Sequence, residues 1–393
     1  MIFLDRLLLL LLWVGHFSIC VAGFNRLHAI SINRKLRRVF ELILLLSLPC
    51  GMGYYAWHAV YADFGFSYAI LHPGKAGLFL AFPMICWTAV LIAIPHWLLP
   101  RWFSKPPAAL RTNHTVAINV EEKVGRIATH GRMANWLARM PGNEIFHLHV
   151  QEKTLHLKSL PAKLDGFSLV HLSDLHLTGE IGQNYFDYVV DEANKLNGDV
   201  VIVSGDIIES TGCESWLKTT IGRLEAKQGK YFVLGNHDKR MPDVQRVRDL
   251  LCSLGFIDLG ARGVLLTEWN GCRVMLVGDE RPWFPGPREE DITRHAGMSN
   301  EELFRVLVAH TPDRFPWARK HNFALMFAGH NHGGQVRFPI IGPLISPSMS
   351  GTRYASGVFH EAATLMHVSR GISGEHPLRW NCPPEVAKLI LAK

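Results

Sequence analysis

The sequence predicts an α/β domain with a central β-sheet flanked by helices, preceded by an α-helical transmembrane region. Three observations divide the 393-residue chain in this way. Long apolar runs occupy the first hundred residues, whereas short apolar runs alternate with helical patterns beyond residue 145. Residues 1–144 hold 14 Lys and Arg against 6 Asp and Glu, a net charge of +8. Residues 145–393 hold 27 against 28, a net charge of −1.

Three apolar runs, at residues 7–24, 40–62 and 77–100, make up the predicted transmembrane region of residues 1–104. Each is about long enough to cross a hydrocarbon core of ~30 Å at ~1.5 Å per residue. Helices of a soluble core are the alternative, but these runs lack the polar stripe of a surface helix. The first run could also be a cleaved signal peptide. Because its flank MIFLDR is not clearly basic and no A-x-A-like site follows, an uncleaved span is favoured.

The loops between the runs predict an orientation. The first loop carries five basic residues: Arg26, Arg34, Lys35, Arg37 and Arg38. The loop of residues 63–76 carries only Lys75. The positive-inside rule then places the first loop and the main domain in the cytoplasm and the N-terminus outside.

Residues 105–144 are expected to form a linker that contains an amphipathic helix. Within 124–140, apolar residues fall at helical spacing: Val124, Ile127, Met133, Trp136, Leu137 and Met140. Arg126, Arg132 and Arg139 are interleaved with them. This pattern fits a helix on anionic lipid, and equally a helix packed on the soluble domain.

Composition excludes some classes of site. The basic pI of 9.0 originates in the membrane end, so a nucleic-acid partner is not expected. The seven cysteines include no CxxC pair, so neither a disulfide framework nor a structural zinc site is indicated.

Beyond residue 145, six short apolar runs predict buried strands at residues 167–172, 199–204, 230–235, 273–278, 305–310 and 324–329. Helical faces lie between them, around residues 186–196, 216–224 and 244–254, and glycines end or follow each face. Strands that alternate with helices predict an α/β domain over residues 145–393.

Residues able to bind metals follow most of these strands. They are Asp174, His176, Asp206, Asn236, His237, Asp238, His310, His330 and His332. The pairs at i and i+2 can point to one side of an extended chain. Since ligands bind at the carboxyl ends of strands in open α/β sheets, we expect one cluster there. His330 and His332 alone would fit an ordinary loop, but five such stretches in this order indicate a metal site.

The motifs SDLH, SGDIIE, GNHD, VAH and GHNH resemble those of the calcineurin-like metallophosphoesterase superfamily. The later stretches PLISPSMSGTRYASGVF and PLRWNCPPEVAKLILAK resemble its membrane-anchored bacterial branch, which includes UDP-2,3-diacylglucosamine hydrolases. The resemblance implies a metallophosphoesterase β-sandwich, an inner-membrane location and a role in lipid A biosynthesis. Asp238 stands where many relatives carry Glu, and a carboxylate is retained.

The resemblance implies two metal sites that share one carboxylate. One would use Asp174, His176, His332 and the bridging Asp206, and the other Asp206, Asn236, His310 and His330. Two cations ~3.5–4 Å apart can hold an ionised water and neutralise phosphoryl oxygens. Ligation by nitrogen and oxygen without Cys leaves manganese, iron and zinc open, with manganese preferred. Gly333 and Gly334 would let the backbone turn away from the ligands.

The resemblance also makes His237 the proton donor to the leaving group, with Asp238 holding its ring. His237 could instead be a buried structural histidine, and Asp238 a helix cap. Gln335 and Arg353 could contact phosphate or only pack in their loops. The apolar loop of residues 338–347 could hold acyl chains, although packing under the sheet edge is slightly preferred.

These expectations combine into a membrane-anchored, two-metal phosphoesterase that cleaves a phosphodiester or pyrophosphate. Its partners would be a phosphate-ester substrate and membrane lipids. The more specific hypothesis is that the substrate is lipid-linked. A phosphomonoesterase or phosphoprotein phosphatase is the alternative. A non-enzymatic membrane receptor should have lost ligands, whereas every ligand position here is competent. A nuclease is disfavoured by the charge of residues 145–393.

Overall fold

The computed structural model describes residues 2–61, 66–72, 78–103 and 105–393. The chain forms two compact units. The first, called the helical unit, comprises Met1–Lys105 together with Pro339–Arg353. The second, called the larger unit, comprises Pro106–Phe338 together with Tyr354–Lys393.

The helical unit contains the predicted spans. Its helices are α1 (Ile2–Ala29), α2 (Arg34–Tyr61), α3 (Phe66–Leu71), α4 (Ala81–Ala93) and α5 (Leu99–Phe103), with a π-helical turn at Ile94–Leu98 between the last two. Three stretches are long and apolar enough to cross a membrane: Phe3–Ala29, Arg34–His58 and Ala81–Phe103. They overlap the three predicted runs over residues 7–24, 40–58 and 81–100, while residues 62 and 77 lie outside the described residues. Residues 63–65 and 73–76 of the 63–76 loop, including Lys75, also lie outside them.

The helices pack through small residues and an aromatic cluster. A side chain at Gly15 of α1 would collide with the backbone of Cys86 in α4, so glycine permits the close approach of these helices. Leu12, Phe66 and Cys86 are fully buried in the cluster between the helices. At one end of α1, the Asp5 carboxylate accepts hydrogen bonds from the backbone and hydroxyl of Ser67. Ser67 belongs to α3, a short helix that the sequence did not predict.

The larger unit contains two extended sheets. Its strands are β1 (Leu110–Asn119), β2 (His147–His156), β3 (Ser168–Leu172), β4 (Val200–Ser204), β5 (Gly229–Val233), β6 (Phe256–Asp258), β7 (Val264–Trp269), β8 (Cys272–Asp279), β9 (Phe304–Ala309), β10 (Leu325–Ala328), β11 (Arg337–Phe338), β13 (Gly357–Glu361), β14 (Thr364–Val368) and β15 (Glu385–Ala392). The short strand β12 (Gly342–Pro343) belongs to the helical unit. One sheet has the order β1-β2-β15-β3-β4-β5-β6, and the other β13-β14-β10-β9-β8-β7. Strands β3 to β6 run parallel, as do β8, β9, β10 and β14.

Helices of the larger unit are short except for two. They are α6 (Val120–Val124), α7 (Arg132–Ala138), α8 (Gln183–Lys195), α9 (Glu214–Thr219), α10 (Val244–Ser253), α11 (Leu259–Arg262), α12 (Glu289–Thr293) and α13 (Phe315–Lys320). Apolar residues from β3, β4, β9 and β10 form a shared core, in which Leu169, Ile202, Val306 and Phe327 are fully buried. A second core lies between the first sheet and α8 and α10. The α/β sandwich flanked by helices is confirmed.

All six strands predicted beyond residue 145 are present within about one to two residues of their expected bounds. The predicted helix over residues 216–224 divides into α9 and a 3₁₀ turn at Ile221–Arg223. The segment 105–144 differs from a linker, because β1 pairs with β2 over its whole length.

The expected amphipathic helix of residues 124–140 is also shorter. Gly125 and Gly131 have φ angles of +79° and +98°, so only Arg132–Ala138 is helical there. Ile127 is buried in the core instead of facing a membrane. Met133 and Trp136 remain exposed on the short helix.

Candidate metal centre

The candidate ligands lie in the turns that follow the central strands, and several have unusual backbone angles. Asp174, His176, Asp206, His330 and His332 have φ angles of +53°, +46°, +52°, +68° and +48°. Left-handed backbone is uncommon for residues other than glycine and concentrates at functional sites. The i and i+2 pairs are therefore not on extended chain, as the sequence reasoning assumed. The turns themselves aim the side chains.

One group of ligand atoms comes from Asp174, His176, Asp206 and His332, and all of them lie within 4.8 Å of one another. Within this group the Nε2 atoms of His176 and His332 are 3.1 Å apart. The Asp174 Oδ1 atom lies 3.6 Å from Nε2 of His332. Asp174, His176 and Asp206 are essentially inaccessible to solvent.

A second group comes from Asp206, His310 and His330, again with ligand atoms within 4.8 Å of one another. Here Oδ2 of Asp206 is 3.1 Å from Nε2 of His310. The Oδ1 atom of Asn236 lies 3.2 Å from the same nitrogen. Asp206 therefore belongs to both groups, and the neighbouring histidines His330 and His332 divide between them.

Glycines allow the strand ends to approach the ligands. A side chain at Gly205 would collide with the His310 ring, and one at Gly235 would collide with the Asp206 carboxylate. A side chain at Gly329 would collide with Ser173 and the Asp174 carboxylate. Gly333 and Gly334, which were expected to turn the chain, have φ angles of +63° and +83°.

The orientation of the rings fits metal ligation. Nδ1 of His310 donates to the Ser204 carbonyl at 2.7 Å, and Nδ1 of His332 donates to the carbonyl of Ser373 at 3.3 Å. A carbonyl oxygen has no proton, so these rings carry theirs on Nδ1 and present the Nε2 lone pair to the cluster. Such support of the opposite ring nitrogen is the usual arrangement for histidine ligands. The cluster can therefore hold divalent metal through nitrogen and oxygen.

The electrostatics agree with a site built for cations. Burial raises the pKa of the Asp174 carboxyl. Burial alone would lower the pKa of His310, but the Asp206 carboxylate outweighs it and raises that pKa to about 9. Burial and the neighbouring His176 hold the pKa of His332 well below its ordinary value. A cation bound between these side chains would stabilise the ionised form of the buried carboxylates and the neutral form of the imidazoles.

His237 lies beside the first group but faces a different carboxylate. Its Nδ1 atom is 2.9 Å from Oε1 of Glu209, which also accepts a 2.5 Å hydrogen bond from Nδ1 of His176. The other oxygen of Glu209 is 2.6 Å from the Arg240 guanidinium. Burial alone would raise the pKa of Glu209, but the hydrogen bond from His176 and the adjacent His237 ring hold it well below its ordinary value.

Asp238 does not hold the His237 ring. Its carboxylate accepts hydrogen bonds from the backbone N–H groups of Ile207, Ile208 and Gly235, at 2.7 to 2.9 Å. Burial and the nearby Asp206 raise the pKa of Asp238 to about 7. Asp238 thus joins the turn after β4 to the turn after β5. Glu209, and not Asp238, is the carboxylate beside the His237 ring.

Several supporting residues were missed. Glu209 stands in the quoted SGDIIE motif, three residues after Asp206, and that spacing was its only signal. The Trp283 ring packs on His310 and His330, with centroids 5.5 and 4.7 Å apart. The fully buried Arg379 donates to the His332 carbonyl at 3.0 Å and so holds the backbone of a ligand.

The two weaker candidates have other surroundings. Gln335 donates to the carbonyl of His376 at 3.1 Å, as expected for loop packing. Arg353 is the last residue of the Pro339–Arg353 segment in the helical unit. Most of the apolar loop of residues 338–347 belongs to the helical unit as well.

Comparison with known families gives one match. Residues 167–334 match the family described as calcineurin-like phosphoesterase. The matched range contains every candidate ligand, His237, Asp238 and Glu209. It ends at Gly334, two residues after the last histidine of the cluster.

Three relatives illustrate the similarity. The chain is 26% identical over 248 residues to the uncharacterized metallophosphoesterase YkuE of Bacillus subtilis, covering 62% of this chain and 85% of that protein. It is 25% identical to phosphodiesterase YaeI of Escherichia coli, covering 57% and 82%. It is 23% identical to the UDP-2,3-diacylglucosamine pyrophosphatase LpxG of Chlamydia trachomatis, covering 61% and 88%. Four other relatives are longer, and the chain spans 54% to 63% of their length.

Proposed function

The larger unit contains a calcineurin-like phosphoesterase domain, and from this premise we propose that the protein is a membrane-anchored, metal-dependent hydrolase of phosphodiester or pyrophosphate bonds. The observation that carries the proposal is the position of Asp206 in both groups of ligand atoms. A carboxylate shared in this way sets two cations close together, which is the arrangement that suits phosphoryl transfer.

The ligand sets follow from the two groups. Asp174, His176, Asp206 and His332 would hold one cation, and Asp206, Asn236, His310 and His330 the other. Two divalent cations, manganese, iron or zinc, would supply Lewis-acid stabilisation of the phosphoryl oxygens and lower the pKa of water. Trp283 covers the rings of His310 and His330 and limits the access of bulk water to them.

His237 would donate a proton to the leaving group. Oε1 of Glu209 lies 2.9 Å from Nδ1 of this ring, so the carboxylate would orient the imidazole. The Nε2 atom is then the one that delivers a proton, and it lies 3.5 Å from the Arg240 guanidinium. Arg240 itself forms ion pairs with Glu209 and Glu375, which offset its positive charge beside the His237 ring.

The substrate is proposed to be lipid-linked, with a UDP-linked diacylglucosamine as the model compound. The names of YaeI and LpxG support a diester or a pyrophosphate as the bond cleaved. The three membrane-length helices support a substrate that is carried in a bilayer. The domain is proposed to lie on the cytoplasmic side of a bacterial inner membrane. The reason is that the first loop carries five basic residues, whereas the 63–76 loop carries only Lys75.

The direct test is hydrolysis by the full-length protein in detergent, supplied in turn with Mn²⁺, Fe²⁺ and Zn²⁺. The substrates are p-nitrophenyl phosphate, bis(p-nitrophenyl) phosphate and UDP-2,3-diacylglucosamine. We expect cleavage of the diester and of the UDP compound to exceed cleavage of the monoester. A preference for the monoester would favour the phosphomonoesterase alternative, and no hydrolysis with any metal would contradict the enzyme.

The side of the membrane is tested with reporter fusions. A reporter after Lys393 should behave as cytoplasmic, and one within residues 63–76 as external. The opposite pattern would overturn the orientation without affecting the hydrolytic function.

A further inference from the structure

The segment Pro339–Arg353 follows the last metal-binding histidine by only a few residues in the chain, yet it belongs to the helical unit. Most of its residues lack regular secondary structure. Within that unit, polar side chains from two of the membrane-length helices bind its backbone. We call this segment the interfacial segment.

Asn25 near the end of α1 makes the first attachment. Its Nδ2 atom donates to the Leu344 carbonyl at 3.0 Å, and its Oδ1 atom accepts from the backbone N–H of Ser346 at 2.9 Å. Asn25 is only 3% exposed. A buried amide whose donor and acceptor both bind the same stretch of backbone fixes the position of that stretch.

Arg101 and Trp102 of α5 make the second attachment. Arg101 donates to the carbonyls of Ile341 and Pro343, at 2.8 and 3.3 Å, and to the hydroxyl of Thr352. The Trp102 indole donates to the Ile340 carbonyl at 3.1 Å. The interfacial segment is therefore joined to the ends of both α1 and α5.

These attachments place the interfacial segment at the basic end of the helices. Asn25 is adjacent to Arg26, and α2 begins with Arg34 and Lys35. Basic residues and tryptophan are characteristic of the level at which lipid headgroups meet acyl chains. If the helices cross a bilayer, a segment held there by Asn25 and Arg101 would lie at the depth of the headgroups.

The side chains of the interfacial segment are apolar where they are most exposed. Ile340, Ile341 and Ile345 are 80%, 41% and 43% exposed. Ile340 also has a φ angle of +67°, which is a strained conformation for a β-branched residue. An isoleucine that is both strained and exposed gains little from packing in the protein, whereas burial among acyl chains would stabilise it.

From this geometry we infer that the interfacial segment binds the acyl chains of a lipid-linked phosphoester while that substrate remains in the bilayer. Its three isoleucines enter the boundary between headgroups and acyl chains, and the backbone bonds to Asn25 and Arg101 keep them at that depth. The identity of the substrate rests on the proposed function, but the contact with lipid does not.

Lipid contact is tested by photo-crosslinking in the full-length protein. The photoreactive residue p-benzoylphenylalanine replaces Ile340 or Ile345, and the protein is reconstituted in phosphatidylethanolamine and phosphatidylglycerol vesicles containing UDP-2,3-diacylglucosamine. Leu266 of β7, which is 50% exposed in the larger unit, is the matched control site. We expect lipid adducts by mass spectrometry at positions 340 and 345 and none at 266. Absence of lipid adducts at 340 and 345, or crosslinks only to a second copy of the chain, would overturn the inference.

Substrate binding is tested with the double variant Ile340→Asn and Ile345→Asn. Asparagine adopts the left-handed conformation more readily than isoleucine, so the change relieves strain at position 340. We expect the ratio of turnover on vesicle-borne UDP-2,3-diacylglucosamine to turnover on soluble bis(p-nitrophenyl) phosphate to fall roughly tenfold, as expected when two isoleucines no longer contact acyl chains. Leu266→Asn should leave this ratio at the wild-type value.

The two experiments separate the possible failures. Lipid adducts with an unchanged ratio would overturn substrate binding by the interfacial segment and leave it as a membrane contact. If the wild-type protein cleaves neither compound, the proposed function fails, while the crosslinking still decides whether the segment contacts lipid.

Discussion

The helical unit and the larger unit differ in which side chains they expose. In α2, Leu42, Leu45 and Leu46 are more than half exposed, while the polar Asn25 of α1 is buried. In the larger unit, apolar strand residues such as Val306 are fully buried. The first pattern is stable only where the surroundings are apolar, and the second only in water.

The buried polar groups of the two units also serve different ends. Asn25 in the helical unit satisfies backbone groups of the interfacial segment. In the larger unit, buried carboxylates and imidazoles converge within 4.8 Å of one another, which is costly without a cation. The first set therefore holds a segment of the helical unit in place, whereas the second set has the composition of a metal site. The predictions below test this distinction, from the largest expected effect to the smallest.

Asp206→Asn should have the largest effect, because it removes the carboxylate common to both groups of ligand atoms. Loss of a single supporting residue usually costs a metal site 10–100-fold in affinity, so loss of the shared ligand should exceed about 100-fold at each site. We expect hydrolysis to fall to background and both metals to be lost, as measured by mass spectrometry. Asp165→Asn, away from the cluster, is the control. Retention of both metals in Asp206→Asn would contradict the shared ligand.

His237→Ala should leave the metals in place but slow turnover by roughly 10²–10⁴-fold, the usual contribution of a positioned acid. The deficit should shrink for esters with good leaving groups, because a stable phenolate departs without a proton. Rates over a series of leaving-group pKa values, together with metal content, provide the measurement.

An equal loss on every ester would indicate that His237 binds phosphate instead of donating a proton. Glu209→Gln is the companion variant, because it removes the carboxylate that orients the His237 ring. It should reduce the same rates with the same dependence on the leaving group. Since Glu209 also contacts His176, a modest loss of metal is expected with it.

Leu45→Lys and Leu266→Lys form a matched pair across the two units, since these leucines are 66% and 50% exposed. Lysine at the centre of a span costs about 2.5–3.5 kcal/mol of insertion, whereas an exposed position on a soluble domain tolerates it within about 0.5 kcal/mol. We expect Leu45→Lys alone to reduce the fraction of protein in membranes. Equal behaviour of the two variants would show that α2 does not face lipid.

Gly235→Ala tests how closely the strand ends approach the ligands. The added methyl group would collide with the Asp206 carboxylate, so we expect a loss of roughly 10–100-fold in metal affinity, comparable to that of a supporting residue. Gly297→Ala is the matched control, because nothing lies within 4 Å of a side chain there. Titration of the apo protein with Mn²⁺ by calorimetry measures both. Wild-type affinity in Gly235→Ala would mean that the turn after β5 is not close-packed on the ligand.

The smallest effect concerns a buried polar network outside the metal cluster. Burial lowers the pKa of His171 to about 3, and this ring contacts His367 and the hydroxyl of Ser204, both at 2.8 Å. The pKa of this histidine is about 6.5 in the unfolded chain, so below that pH the unfolded chain binds a proton that the folded protein does not. The free energy of unfolding therefore decreases as the pH falls from about 6.5 towards 3. We expect the melting temperature to decrease between pH 7 and pH 5.

His171→Asn should flatten this pH dependence. One histidine contributes up to about 1.4 kcal/mol per pH unit to the slope of the unfolding free energy over this range. Melting temperatures by intrinsic fluorescence at several pH values provide the measurement. An unchanged slope would show that His171 is not the group that takes up the proton on unfolding.

Local patterns in the sequence determined the spans, the strands and the identity of the candidate ligands. Hydropathy over about twenty residues defines a span, and a short apolar run ending in Asp or His defines a strand with a polar turn. Both signals lie within one stretch of chain. The ends of β3 and β4 could be predicted for this reason, together with Asp174, His176 and Asp206, although the left-handed turns that carry these residues were not.

Only the tertiary structure decided which distant groups meet. The C-terminal β15 lies between β2 and β3, which joins β1 to the sheet and makes the expected linker part of the domain. Glu209, and not Asp238, faces His237, and the Pro339–Arg353 segment joins the helices instead of the sheet. The physical reason is that a carboxylate or an amide binds whichever partner the folded chain brings within about 3 Å, and no local pattern encodes that partner.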